Sequence, residues 1–230
     1  TLVKNISILG AGTTVTRSNP SISQASLVYT GPSQSTLTPL FDFRGSTKDK
    51  WYHGSIQNMA FYGGDASNNI VCLLFYHCAR SLFENLYIEN MQCGIKILGD
   101  YYYSVFNKIV CYYCYNGFEA LSIANKAVFN YCNFSGCDTG FIGNAGDKAD
   151  HGVQFNDCYF EKNRIGIDYI LIGSLCINQC YFESNAEHEI YIHSSRLSGN
   201  AKGLLILEKS FILHRFNESY NSAIKQEVPS

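Results

Sequence analysis

The segment FNDCYF at 155–160 recurs along the chain and decides its fold. Close copies are FNKIVC at 106–111, FNYCNF at 129–134 and INQCYF at 177–182, and looser copies are FENLYI at 83–88 and IQNMAF at 56–61. Successive copies start 27, 23, 23, 26 and 22 residues apart. A repeat of this length is typical of a solenoid, in which each repeat forms one coil and packs on its neighbours.

The composition favours strands and turns over helices. Of the 230 residues, 16% are charged, 14% are aromatic and four are proline. The net charge of -2 and the scattered Lys and Arg residues predict no nucleic-acid partner. No apolar run approaches the roughly 18 residues of a membrane-spanning helix, so we expect no membrane insertion, and no signal peptide is visible.

Each coil divides into short strands with alternating inward and outward side chains. In the coil around FNDCYF, the residues predicted to point inward are Val153, Phe155, Cys158, Phe160, Ile167 and Tyr169. A glycine opens the last strand of successive coils, at Gly94, Gly117, Gly140 and Gly166. One turn repeats Asn, at Asn107, Asn130, Asn156 and Asn178, where we expect stacked amides and a left-handed backbone.

The cysteines follow the repeat instead of a disulfide pattern. Cys132, Cys158 and Cys180 share its fourth place, and Cys114 and Cys137 share its ninth. We interpret them as buried, reduced thiols that pack as small hydrophobic groups. The CYYC at 111–114 is the alternative, half of a zinc site, but it lacks a second pair of ligands. The sequence therefore predicts no metal and no cofactor.

The stretches NLYIENMQCGIKILG at 85–99 and NDCYFEKNRIGIDYI at 156–170, with the opening NISILGAGTT, resemble the pectate-lyase-like superfamily, especially bacteriophage tailspikes. The resemblance implies an all-β fold, a right-handed, single-stranded parallel β-helix over residues 1–215. We expect irregular coils at 1–50, regular coils at 51–215 and a polar tail at 216–230 that continues in a longer chain.

The CYFE tetrapeptide, at 158–161 and 180–183, predicts a ribbon of tyrosines and carboxylates on one wall. Aromatic rings bind the apolar faces of sugars, and paired carboxylates hydrolyse glycosidic bonds. The alternative for each residue is ordinary solvated surface. We predict catalysis by Glu161 and Glu183 and expect all these side chains to face solvent; the predicted substrate-binding residues are Tyr87, Glu89, Tyr112, Tyr159 and Tyr181.

A second outward column contains Lys96, Glu119, Ile142, Asp168 and Tyr191. Glu119 and Asp168 lie two coils apart, about 9–10 Å, which is near the upper limit for an inverting pair. The alternative is a Lys96–Glu119 surface ion pair. His188 and His193 do not match a zinc motif and have opposite parity on a strand, so no shared metal is predicted.

The insertion GNAGDKADHG at 143–152 supplies further candidates in Asp147, Asp150 and His151. Loops on a rigid scaffold often carry function. His151 is a candidate base, and the aspartates are candidate calcium ligands, although their spacing matches no calcium loop. A flexible, solvated loop is the alternative.

A third outward column is apolar, with Leu82, Val105 and Val128 followed by Gln154 and Cys176. An exposed apolar stripe is typical of an interface. The tailspike resemblance implies a homotrimer, and this stripe suits its three-fold contact.

The resemblance implies binding and cleavage of bacterial capsule, lipopolysaccharide or exopolysaccharide by a virion-tail or extracellular protein made in a reducing cytoplasm. Hydrolysis is the first expectation because the ribbon supplies carboxylates, and a lyase is the second, with Lys96, Tyr112 or His151 as loosely qualified groups. The alternatives are a non-catalytic shaft, a receptor-binding module or an adhesin, because this fold carries many activities.

Overall fold

The computed structural model describes residues 7–9, 25–29, 34–43, 51–122, 124–143, 152–170, 173–193, 204–213 and 224–226. These residues form an all-β solenoid of about six turns, in which every strand pair is parallel. Helix within them is limited to a 3₁₀ turn at Ala66–Asn68, which Asp65 caps through a hydrogen bond from the Ser67 N–H. They contain no helix long and apolar enough to cross a membrane.

Three walls surround the core, and the first two are continuous in one sheet. Ser55–Tyr62, Leu82–Glu89 and Val105–Tyr112 run through both the first and the second wall. The other first-wall strands are Ser7–Leu9, Ala124–Asn130, Gly152–Asn156, Ser174–Asn178 and Leu204–Glu208. The other second-wall strands are Ala25–Val28, Asn133–Ser135, Tyr159–Glu161, Tyr181–Glu183 and Phe211–Leu213. Three short strands extend this sheet: Trp51–Tyr52, Cys78–Ala79 and Tyr101–Tyr102.

The third wall is an eight-stranded sheet whose strands follow chain order. Its strands are Thr38–Phe43, Ile70–Phe75, Cys93–Ile97, Asn116–Ala120, Thr139–Gly143, Ile165–Ile170, His188–His193 and Ile224–Gln226. The predicted parallel β-helix with three strands per coil is therefore confirmed.

Stacked phenylalanines fill the core along the axis. In the first wall, the rings of Phe83, Phe106, Phe129 and Phe155 succeed each other at centroid distances of 4.8, 4.5 and 4.9 Å. The third-wall ring of Phe141 meets Phe129 and Phe155 edge to face at 5.3 and 4.9 Å. Aromatic pairs of this kind contribute about 0.5–1.5 kcal/mol each beyond the burial of their area. The ladder therefore couples adjacent coils and adjacent walls.

The thiols lie inside this core as predicted. All ten cysteines are free, and nine are buried, with Cys176 half-buried. The Cys132 thiol donates to the Phe106 carbonyl at 3.3 Å, and the Cys158 thiol donates to the Phe129 carbonyl at 3.4 Å. Ser210 follows Cys180 in this column and donates to the Ile177 carbonyl at 3.4 Å. In these coils the column holds small side chains that donate to a backbone carbonyl, whereas Ile109 and Leu86 occupy the same place in earlier coils.

The Asn turn is built differently from the prediction. Asn156 Nδ2 donates to Asn130 Oδ1 at 2.9 Å, so the expected stacking of amides is present. The left-handed residue is instead the one that follows, at Tyr131 with φ 55° and Asp157 with φ 50°. The prediction of a left-handed Asn was wrong because the chain turns one residue later.

The glycine column is explained by close approach between coils. A Cβ on Gly117 would lie 2.5 Å from the Gly140 carbonyl oxygen, and one on Gly166 would lie 2.5 Å from the Glu189 carbonyl oxygen. Each glycine thus leaves room for the backbone of the next coil. The column ends at Glu189, whose side chain is buried.

Candidate functional site

Two outward columns run along the second wall. We call the first the tyrosine column; it contains Tyr87, Val110, Asn133, Tyr159, Tyr181 and Phe211. We call the second the carboxylate column; it contains Tyr62, Glu89, Tyr112, Ser135, Glu161, Glu183 and Leu213. The predicted alignment of Tyr159 with Tyr181 and of Glu161 with Glu183 is confirmed.

Hydrogen bonds join the two columns within a strand. Tyr87 Oη donates to Glu89 Oε2 at 2.7 Å, and Tyr181 Oη donates to Glu183 Oε2 at 3.0 Å. Tyr159 and Glu161, the equivalent pair in the coil before that of Tyr181, are arranged differently. Glu161 Oε2 lies 3.4 Å from Ser135 Oγ, whose proton is directed mainly to Asn133 Oδ1 at 2.6 Å, and Glu161 Oε1 lies 3.9 Å from Lys162 Nζ. Among the described residues, the Tyr159 hydroxyl has no hydrogen-bond partner.

The expectation that the whole ribbon faces solvent was wrong. Glu161 is only 7% exposed, because the short side chain of Ser135 in the preceding coil gives its carboxylate a place to fold. Tyr87 is 3% exposed, with the Tyr62 ring packed 5.7 Å away. Glu89, Glu183 and Tyr181 are half-buried, and Tyr159 is 48% exposed. The accessible part of the ribbon is therefore its stretch around Tyr159 and Glu183.

The phenols of Tyr87 and Tyr181 are held in their neutral form. Burial, followed by the hydrogen bond to Glu89, raises the pKa of Tyr87 above its usual value. The hydrogen bond to Glu183 is the main cause of the raised pKa of Tyr181. Such phenols act as hydrogen-bond donors at neutral pH and are poor general bases. This argues against a tyrosine base in this part of the ribbon.

Tyr112 belongs to a separate aromatic contact. Its ring lies 4.0 Å from that of Tyr113, and the Tyr112 hydroxyl donates to the Tyr113 hydroxyl at 3.0 Å. Tyr113 in turn covers Gly136, where a Cβ would lie 2.6 Å from the ring. Tyr112 is half-buried by this arrangement.

The second outward column is in register on the third wall as predicted, so Glu119 and Asp168 lie two coils apart with Ile142 between them. Lys96 Nζ lies 2.8 Å from Glu119 Oε1, and Asn116 Nδ2 donates to Glu119 Oε2 at 3.1 Å. The alternative interpretation, a Lys96–Glu119 ion pair, is thus the arrangement observed.

Asp168 has a partner that sequence reasoning missed. His193 Nε2 lies 2.7 Å from Asp168 Oδ1, and the His193 ring lies 4.0 Å from that of Tyr191. The signal was available, because Asp168 pairs with Tyr191 in register and His193 lies two residues further on the same face. The histidines had been considered only as metal ligands. Among the described residues, no group of three or more His, Cys, Asp or Glu side chains is arranged to hold a metal ion.

Two further groups of charged side chains are candidates for a functional role. Asp147, Asp150 and His151 lie outside the described residues. Glu189 is fully buried and accepts a hydrogen bond from Asn185 Nδ2. In the sequence, Glu189 is recognisable because it occupies the repeat position at which the preceding coils have glycine.

No protein-family model, curated protein or solved structure matches the chain.

Proposed function

We propose that the second wall binds a bacterial surface polysaccharide and hydrolyses it with Glu161 and Glu183. The exposure of Tyr159 supports this most directly. Tyr159 is half exposed and lies on the same strand as Glu161, which is in register with Glu183 on the next strand. Sugars bind to an aromatic face beside carboxylates. The polymer class rests on the resemblance to tailspikes in the stretches 85–99 and 156–170.

The placement of Glu161 and Glu183 on adjacent strands suits retention of configuration better than inversion. Glu161 and Glu183 occupy adjacent strands, which lie about 4.8 Å apart. Carboxyl groups about 5–5.5 Å apart suit a double displacement through a covalent intermediate, whereas an inverting pair requires a wider gap. Glu119 and Asp168 contribute nothing to this pair because they lie on the third wall and have their own partners.

A non-catalytic receptor-binding module is the second candidate. The observation that favours it is that each carboxylate of the proposed sites already has a partner in the chain. Glu161 lies beside Ser135 and Lys162, Glu183 accepts from Tyr181, and Glu119 pairs with Lys96. Carboxylates of a structural ladder are expected to be satisfied in this way.

Incubation with purified capsular polysaccharides and lipopolysaccharides tests the proposal. Hydrolysis is expected to release reducing ends without absorbance at about 235 nm, the signature of a lyase. Glu161→Gln and Glu183→Gln are each expected to reduce release by about 100-fold, the size of a general acid–base contribution. Glu119→Gln on the third wall is the control. Binding without cleavage would favour the receptor-binding module, and unchanged turnover in both ribbon variants would remove Glu161 and Glu183 from the mechanism.

We also propose that the protein forms a homotrimer on a virion tail through the first-wall apolar column. Leu82, Val105 and Val128 are in register and half-buried, and Cys176 and Ile206 extend the column beyond the exposed Gln154. Exposed apolar stripes are typical of interfaces. Light scattering of the protein and of Val105→Lys measures this directly; a monomeric wild-type protein would contradict it.

A further inference from the structure

The tyrosine column is interrupted for two coils. Tyr87 is followed by Val110 and Asn133, and the next ring is that of Tyr159. Because adjacent strands lie about 4.8 Å apart, Tyr87 and Tyr159 are separated by about 14 Å along the axis. The interruption is therefore long enough for a pyranose ring, which is comparable in thickness to one coil.

Tyr87 and Tyr181 have little free face, whereas Phe211 is stacked on one side and 54% exposed. Tyr181 and Phe211 stack with centroids 5.3 Å apart and planes 9° apart, so each covers a face of the other. The opposite side of Tyr181 meets Tyr159 at 5.8 Å, and Tyr87 is buried. A sugar packs its C–H groups on the negative face of a ring, and a stacked ladder presents mainly edges.

Tyr159 differs from Tyr87 and Tyr181 in three ways. It is 48% exposed, its plane is tilted 45° from that of Tyr181, and its neighbour on the other side is the much shorter Asn133. Its hydroxyl also lacks the bond to a carboxylate that Tyr87 and Tyr181 make, because Glu161 turns toward Ser135. Tyr159 thus has an open ring face and a hydroxyl available to a ligand.

Asn133 supplies a polar group at the same place. Ser135 Oγ donates to Asn133 Oδ1 at 2.6 Å, which orients the amide and leaves Nδ2 as the donor for a ligand. Glu161 lies two residues beyond Tyr159 on the same side of the strand, about 6.6 Å along it. An aromatic face, an amide donor and a carboxylate are therefore grouped around one small space.

We infer that this interruption is a saccharide subsite, in which one pyranose residue packs its apolar face on Tyr159 and accepts a hydrogen bond from Asn133. The inference rests on the proposed function and narrows it to one place on the ribbon. The pyranose ring lies against the coils that contain Val110 and Asn133, and the rest of the polysaccharide passes Glu161. Tyr181 packs beside Tyr159, and neither Tyr181 nor Phe211 stacks on the ligand.

The test compares variants at the subsite with a matched variant outside it. The probes are purified capsular polysaccharides and lipopolysaccharides, with soluble starch for comparison, and the readout is the dissociation constant from calorimetry. Tyr159→Ala is expected to weaken binding at least tenfold, which corresponds to about 1.4 kcal/mol. Asn133→Tyr, which fills the interruption with a ring, is expected to abolish binding while the melting temperature is kept or raised. Phe211→Ala, which removes an equally exposed ring from the same column, is expected to bind as the wild type does.

The outcomes separate the subsite from the function. If the wild type binds a bacterial polysaccharide and Tyr159→Ala and Asn133→Tyr bind it equally well, the subsite is wrong and the proposed function stands. If Phe211→Ala loses as much affinity as Tyr159→Ala, the ring column as a whole binds the ligand, and the assignment to the interruption is also wrong. If the wild type binds none of the probes, the proposed function falls and the subsite falls with it.

Discussion

Asn163 Nδ2 donates a hydrogen bond of 2.9 Å to Asn185 Oδ1 in the next coil, with both side chains buried. Each amide also closes a corner of the backbone. Asn163 Oδ1 accepts from the Cys137 N–H at 2.9 Å, and its Nδ2 donates to the Phe134 carbonyl at 3.0 Å. Asn185 repeats the arrangement one coil later with the Asn163 N–H and the Phe160 carbonyl. At this turn, the two side chains thus make the hydrogen bonds between coils that the backbone makes between strands.

Replacement of Asn163 is expected to destabilise the fold strongly. Asn163→Ala leaves the Cys137 N–H and the Phe134 carbonyl without their partner, and each buried, unsatisfied group costs about 1–3 kcal/mol. We expect a loss of at least about 2 kcal/mol in urea denaturation. Gln154→Ala, at an exposed position of the same coil, is the control. A loss below about 0.5 kcal/mol would show that water replaces the amide.

The thiols are expected to separate into one reactive group and nine protected groups. Burial, followed by a hydrogen bond with Cys132, raises the pKa of Cys158 well above the usual range. The hydrogen bond with Cys158, followed by burial, raises the pKa of Cys180, and all ten thiols are free. Cys176 is half-buried on the first wall. A thiol reagent at neutral pH is expected to label Cys176 slowly in the native protein and all ten cysteines after unfolding. Cys176→Ser removes the native reaction; rapid labelling of Cys132, Cys158 or Cys180 would contradict the buried column.

The glycine column is expected to reject even one methyl group. Gly117→Ala places its Cβ 2.5 Å from the Gly140 carbonyl oxygen and 2.8 Å from the Phe134 ring. We expect a loss of about 3 kcal/mol or more, since overpacking against a backbone atom is not relieved by a rotamer change. Gly64→Ala is the comparison, because its Cβ meets nothing closer than 3.7 Å and only its φ of 78° is strained. That variant is expected to lose about 1 kcal/mol. Equal losses would mean that strain, and not collision, governs both sites.

The protein is expected to be less stable at alkaline pH than at neutral or mildly acidic pH. The fold raises the pKa of Tyr62, Tyr87 and Tyr181 above 10.0 and that of Cys158 above 9.0, so the unfolded chain loses these protons first. The stability linked to them is complete below about pH 9 and falls as the pH rises further. Urea midpoints between pH 7 and 10.5, under reducing conditions, measure the effect. Tyr87→Phe is expected to flatten the decline, and a midpoint that rises with pH would contradict the prediction.

The sequence predicted the walls because the core residues repeat in register. Phe106, Phe129 and Phe155 each open the repeat and are each followed by an outward Asn, and this recurrence at a period of two assigns each to the interior. It failed for Glu161. Its parity is outward, yet its burial depends on Ser135, a residue 26 positions earlier that provides space. The position of a residue along a strand predicts whether its side chain points inward or outward. Its exposure to solvent also depends on the size of the neighbouring side chains in adjacent coils.

The same limit applies to the corner that Asn163 and Asn185 close. The column begins with Met91, Cys114 and Cys137, and its cysteines were correctly predicted to be buried. Nothing in the local pattern shows that the next two members change from apolar groups to amides while staying buried. Hydrogen bonds to the Phe134 and Phe160 carbonyls permit this change, and such partners become visible only when coils are placed on one another.

The close contacts of the glycine column also affect how the chain folds. A repeat protein risks stacking a coil one residue out of register, since neighbouring coils offer similar hydrophobic surfaces. A slip of one residue on the third wall would bring Phe118 or Asn116 to the place of Gly117, where the Gly140 carbonyl leaves no room for a side chain. Glycine therefore acts as a steric check on assembly, which rejects an incorrectly aligned coil before the phenylalanine ladder closes over it.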